Sequence, residues 1–235
     1  MSDTLNFKMP LLDAAQAQKH VTVNEALVRA DALGAGIVQQ RGLTAPPLAP
    51  ADETVWIVGT SATDAWQGRD DQVALFLNGG WIFVQPWFGQ TFWELATGRR
   101  LTWTGGSWDN GVLSVSANAA MTVQRVAEID HALAAGAVST TAPIIPDKAI
   151  VAGVTARVTA EITGASGWSL GVAGAPDRYG SGYGVEIGAF AHGVSAQPQA
   201  YYGGSAIEIT AVGPDFTGGS IRLAVHYQEI APPSL

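Results

Sequence analysis

The chain has 235 residues, no cysteine, only 14% charged residues and a formal net charge of −8. The missing cysteines exclude a disulfide scaffold, Cys-ligated zinc and thiol catalysis. The 12 scattered basic residues exclude the Lys/Arg stripe that a nucleic-acid binder needs to displace counterions. Twenty-eight glycines, with lysine only at Lys8, Lys19 and Lys148, read as a β-rich chain with many tight turns. So few charges also point to an exterior covered in part by other subunits.

The N-terminus, MSDTLNFKMP, lacks a basic region followed by an apolar core, so no signal peptide is expected. No apolar run is long enough for a membrane span, so no membrane insertion is expected. Residues 1–50 read as a lead with one helix and a Pro-rich link. Within LLDAAQAQKHVTVNEALVRADALG, Thr22 or Asn24 is expected to cap a helix. That helix carries Ala26, Leu27, Ala30 and Leu33 on one face and stops at Gly34. TAPPLAP, residues 44–50, reads as extended.

Residues 51–111 read as a small antiparallel β-domain rich in tryptophan. Seven of the eight tryptophans fall here, at positions 56, 66, 81, 87, 93, 103 and 108. Such a cluster builds either an aromatic core or a surface that grips something flat, a sugar ring or a partner protein. QVALFL and WIFVQP flank Asn78-Gly79-Gly80 as a hairpin, and RLTWT-GGS-WDNG repeats that grammar. Trp66, Trp87 and Trp93 are retained as possible aromatic contacts.

Residues 112–235 read as a β-sandwich, jelly-roll-like. From Ile150 to Thr163, apolar Ile150, Ala152, Val154, Ala156, Val158, Ala160 and Ile162 alternate with residues that from Gly153 on are small, polar or charged. Ile221, Leu223, Val225 and Tyr227 alternate with Arg222, His226 and Gln228 in the same way. Shorter strands are expected at 121–131, 168–173, 184–190 and 205–212, separated by Gly-rich turns. The whole is mainly β.

The motifs for chemistry are weak. Gly167-Trp168-Ser169-Leu170-Gly171 matches a nucleophile elbow, but the next residues, VAGAPDRYGSGYG, cannot open the required helix, so a plain strand is expected. The histidines at 20, 131, 192 and 226 lack metal-ligand spacing. Glu128 and Asp130 fall on one strand face and His131 on the other. Asp70, Asp71, Glu94, Asp177 and Glu186 are carboxylates that sequence cannot pair. No set of nucleophile, base and stabiliser assembles, so no catalytic residues, no metal, no cofactor and no enzymatic activity are expected. The loops of the last segment carry Asp177, Arg178, Tyr179 and Tyr183, then Tyr201 and Tyr202. Tyrosine offers a flat face and a hydroxyl, which suits a glycan, though such rings also pack sandwich edges.

LLDAAQAQKHVTVNEALVRADAL, LTAPPLAP, the Gly turns followed by Trp, and Pro86-Trp87-Phe88-Gly89 resemble a family known as a domain of unknown function. It occurs in proteins of alphaproteobacterial phages, prophages and gene transfer agents. The resemblance covers about residues 5–111. IIPDKAIVAGVTARVTAEITGASGWSLGV, RYGSGYG and IRLAVHY are similar to a C-terminal β-module of fibre-like proteins. The resemblance implies a virion component, a tail fibre or a gene transfer agent head spike that binds host capsular polysaccharide. It implies a homo-oligomer, a trimer first or a pentamer at a capsid vertex, made in the cytoplasm and released by lysis. The first half is expected to attach to other particle proteins and the sandwich to present the glycan surface. The rival readings are a spike base or adaptor that binds no sugar, and a capsule-degrading enzyme.

Overall fold

The computed structural model describes residues 3–13 and 19–234. The fold is mainly β with one α-helix, and the chain divides into two compact units, 1–112 and 113–235. The expected lead and Trp-rich segment therefore share the first unit. No helix among the described residues is long and apolar enough to cross a membrane.

In the first unit, α1 (Lys19–Gly34) begins before the expected caps. Asn24 lies within it and does other work: its side chain accepts from the Leu12 amide at 2.9 Å and donates to the Leu12 carbonyl at 3.0 Å. The helix ends at Gly34 as expected, but Ala26 and Ala30 are exposed, and the buried positions are Val28, Asp31 and Ala32. Leu33 of the expected face does pack against the core, and the buried Asp31 is a hub. Its Oδ1 accepts from Thr4 Oγ1 (2.8 Å) and the Phe7 amide (2.6 Å), and its Oδ2 from the amide and side chain of Asn6 (2.8 and 2.9 Å).

The strands of this unit are β1 (Ile37–Val38), β2 (Arg41–Leu43), β3 (Val55–Val58), β4 (Val73–Leu77), β5 (Gly80–Val84), β6 (Thr91–Glu94), β7 (Arg99–Trp103) and β8 (Trp108–Asn110). They form two four-stranded sheets, ordered β1-β6-β7-β8 and β2-β3-β4-β5. The β1–β6 and β2–β3 pairs are parallel and the others antiparallel. The β4–β5 hairpin turns on Asn78 and Gly79, both at positive φ (52° and 77°), the geometry that makes Asn-Gly a hairpin signal. Val28, Val38, Ile57, Leu75, Phe92, Leu101, Trp103 and Trp108 form a core shared by the helix and both sheets. Trp66, on a short 3-10 turn (Asp64–Trp66), packs with Val58, Ala62 and Ala74 in a second cluster, against Trp56 and Trp81.

The second unit's sheets use β9 (Val112–Val115), β10 (Met121–Ala132), β11 (Val138–Thr140), β12 (Ile150–Thr163), β13 (Gly167–Gly171), β14 (Phe190–Ala200), β15 (Glu208–Val212) and β16 (Gly218–Ala231). A five-stranded sheet, β14-β12-β16-β10-β9, and a three-stranded one, β11-β15-β13, enclose a common core. Val154, Val158, Ile221, Leu223 and Val225 supply one side of it, and Trp168, Leu170 and Ile209 the other. This is the expected sandwich. The period of β12 is interrupted, however. A bulge between Val151 and Gly153 buries Val151 and exposes Ala152, and a second irregularity leaves Ala160 outside. The strand expected at 184–190 is absent; the chain enters β14 only at Phe190.

Candidate functional site

The tyrosines expected to read a glycan divide sharply by burial. Tyr179 (2% exposed) and Tyr201 (8%) lie inside, their hydroxyls 2.8 Å apart. Burial, then the bond to Tyr201, pushes the Tyr179 phenol well above its ordinary range. Tyr183 is half-buried: its hydroxyl donates to the Tyr179 carbonyl at 2.6 Å, and its ring packs 4.8 Å from Trp168. Trp168 in turn donates to the Gly184 carbonyl at 2.7 Å. These rings close one part of the sandwich rather than offering a platform, because each hydroxyl finds its partner inside the protein. Asp177, Arg178 and Tyr202 remain exposed.

Of the tryptophans retained as contacts, Trp66 is completely buried, T-shaped against Trp81 at 5.1 Å, and is a core residue. Trp87 and Trp93 are 59% and 48% exposed. Trp87 borders a groove of about 430 Å³ with Leu33, Gly34, Gly36, Gly89, Gln90 and Thr91. Among the candidate carboxylates, Glu94 is buried and takes the Arg41 amide at 2.8 Å, with Thr97 donating to its second oxygen. Asp70 takes the amides of Ser61 and Ala62, which hold its carboxyl below the usual range. Both carboxylates order backbone. Ser169 is buried in β13, as the plain-strand reading requires, and the side chain of His20 lies outside the described residues. His131 meets Ser139 at 2.8 Å, but Ser139 is completely buried and out of reach of a substrate.

The open feature of the second unit is the outer face of the five-stranded sheet. Core residues occupy alternate positions of β16, so Arg222, Ala224, His226 and Gln228 face away from the core. Register then fixes their neighbours. One row reads Phe190, Arg157, Arg222, Asp130 across β14, β12, β16 and β10. The next reads His192, Thr155, Ala224, Glu128, and the third Val194, Gly153, His226, Val126. Members of the first two rows line an open groove of about 460 Å³. Its floor is low because Ala224 and Thr155 are small, while longer side chains stand at its flanks.

Polar contacts fix these flanks. Arg222 donates to both oxygens of Asp130 at 2.8 and 2.9 Å, and Glu128 lies 3.9 Å away. That pairing lowers the Asp130 carboxyl's pKa and raises that of the Arg222 guanidinium. Thr155 Oγ1 meets His226 Nε2 at 3.1 Å. Arg157 donates to the Gly188 carbonyl at 3.0 Å and lies over the exposed Phe190 ring, 5.5 Å from its centroid. The face thus combines an aromatic ring, hydroxyl and imidazole groups, and charges of both signs around a shallow floor. Alternation in the sequence puts Thr155, Arg157, Arg222 and His226 opposite the apolar positions of their strands, and Glu128 and Asp130 together on one face. It missed Phe190 and His192, because β14 carries Gly193 and Pro198 and shows no clean alternation.

Residues 23–109 match the model of a family described as a protein of unknown function (DUF2793). Among curated proteins, nothing matches the chain.

Proposed function

We propose that the chain is a structural component of a phage-like particle, a tail fibre or gene transfer agent head spike. In this reading it attaches the particle to host capsular polysaccharide through the outer face of its five-stranded sheet. The open groove carries the attachment reading. A polysaccharide is long and cannot enter a closed pocket, so its binding surface must be shallow and accessible. Phe190 offers an apolar face to a sugar ring, and Thr155, His192 and Glu128 offer hydrogen bonds to its hydroxyls. A single contact of this kind is weak, and a homo-oligomer multiplies it through avidity.

The resemblance over residues 5–111 supports the particle half of the proposal. The exposed Trp87 and Trp93 fit a first unit that docks on other particle proteins. Binding of the full-length protein to immobilised polysaccharides tests the reading, with Ala224→Trp filling the groove floor. Retention by wild type that is lost in Ala224→Trp supports it. No retention of wild type by any polymer overturns it in favour of an adaptor role, and shortening of the polymer chains overturns the non-catalytic reading.

A further inference from the structure

The sheet register sets two arginines directly opposite each other, Arg157 on β12 and Arg222 on β16. Like charges in cross-strand pairs destabilise a sheet. Arg222 is relieved by its fork on Asp130 and by Glu128 nearby. Arg157 is not relieved in this way. Its contacts are a neutral carbonyl and the Phe190 ring, and among the described residues no ion pair joins it to a carboxylate. It lines the groove beside His192 on the β14–β12 side, while Glu128 lines the opposite, acidic flank. In a chain of net charge −8, Arg157 is thus an exposed cation without an ion-pair partner among the described residues. The remaining negative charge does little to oppose an anion there, since at physiological salt exposed charges are screened beyond about 8 Å.

We infer that the groove takes an acidic sugar, with the anionic substituent on the Arg157 guanidinium and the ring hydroxyls turned toward Thr155 and Glu128. This rests on the polysaccharide reading of the groove and names its chemical class: a glycan bearing carboxylate or sulfate groups. The planar guanidinium fork matches either oxyanion, which a lysine ammonium does not. Glu128 sets the orientation, because an anion placed at its flank meets like charge.

The test is binding of the full-length protein to polygalacturonate, dextran sulfate and neutral dextran, measured for wild type, Arg157→Ala and Arg157→Lys. Arg99→Ala removes the same charge from the exposed surface of the other unit as a control, and thermal melts confirm that each variant folds. Wild type is expected to prefer an acidic polymer. Arg157→Ala is expected to weaken that binding by about tenfold or more, the loss of one charge-assisted contact. Arg157→Lys should fall between the two, and Arg99→Ala should match wild type. Preference for polygalacturonate assigns a carboxylate and preference for dextran sulfate a sulfate ester. If dextran binds as well as the acidic polymers and Arg157→Ala changes nothing, the acidic-sugar inference fails while polysaccharide attachment stands. If wild type binds none of them, both fail.

Discussion

Replacing Asp31 by Asn should destabilise the first unit, and the hydrogen bonds set the amount. Each carboxylate oxygen takes two donors: Thr4 Oγ1 and the Phe7 amide on one, the amide and side chain of Asn6 on the other. An asparagine has a single acceptor oxygen, so in either flip two donors face an NH₂ group. The Asn6 and Phe7 donors can turn partly to water, whereas Thr4 is 1% exposed and cannot. Hydrogen bonds to a charged group contribute about 1.5–3 kcal/mol each, and allowing for that rehydration the loss is about 2–3 kcal/mol. For a unit of this size each kcal/mol lowers the melting midpoint by about 4 °C, so Asp31→Asn should melt about 8–12 °C lower. Tryptophan fluorescence isolates the event, because seven of the eight tryptophans belong to the first unit. The pH dependence adds a second check. Burial opposes ionisation of Asp31, but the amides of Phe7 and Asn6 and the side chains of Thr4 and Asn6 outweigh it and hold its pKa below the ordinary value of 3.8. The carboxylate therefore stabilises the fold above about pH 4 and loses that effect as the pH falls through the folded-state value. The gap between wild type and Asp31→Asn should shrink on acidification. A midpoint unchanged by the substitution, or a gap that stays constant with pH, would refute this account of the hub.

Two further substitutions probe the second unit. Gly193→Ala would place a Cβ 2.2 Å from the Tyr179 carbonyl oxygen and 2.5 Å from its Cβ; it should cost about 1–3 kcal/mol, read as faster amide exchange along β12 and β14. Tyr201→Phe removes the partner of the buried Tyr179 hydroxyl and should cost about 1 kcal/mol in denaturant unfolding, whereas Tyr202→Ala, at an 80% exposed position, should stay within about 0.5 kcal/mol of wild type.

How far the sequence could be read depended on how far its period ran unbroken. β12 was legible because a period of two runs through residues 150–163, and β16 because it runs through 221–228, a pattern incompatible with a helix. Bulges escaped detection because Ala152 and Ala160 are apolar on either face, so nothing in the letters marks the slip. β14 escaped because a glycine against Tyr179 and a proline near its end interrupt the pattern. The groove was legible in halves. The outward residues of β12 and β16 could be named from alternation, and Glu128 and Asp130 put together on one face, but their juxtaposition is a matter of register between strands far apart in the chain. The tyrosine loops drew attention as a glycan site because composition cannot tell a ring that faces solvent from one whose hydroxyl is answered indoors.

The tryptophan cluster, open in sequence to a core or a contact reading, goes mostly to the core for a physical reason. The strands of the first unit are only two to five residues long, so its sheets together offer few interior positions. A core assembled from so few positions needs bulk at each, and tryptophan supplies the most per residue. Trp66, Trp103 and Trp108 are buried, and Trp56 and Trp81 are partly so. The indole N–H then needs an acceptor, and Trp108 finds one at the Asp71 carbonyl, 2.9 Å away, tying β8 to the start of the β4 hairpin across the two sheets. Trp87 and Trp93 bury far less and do nothing comparable for the core. Their exposure leaves apolar surface in water that the fold does not use.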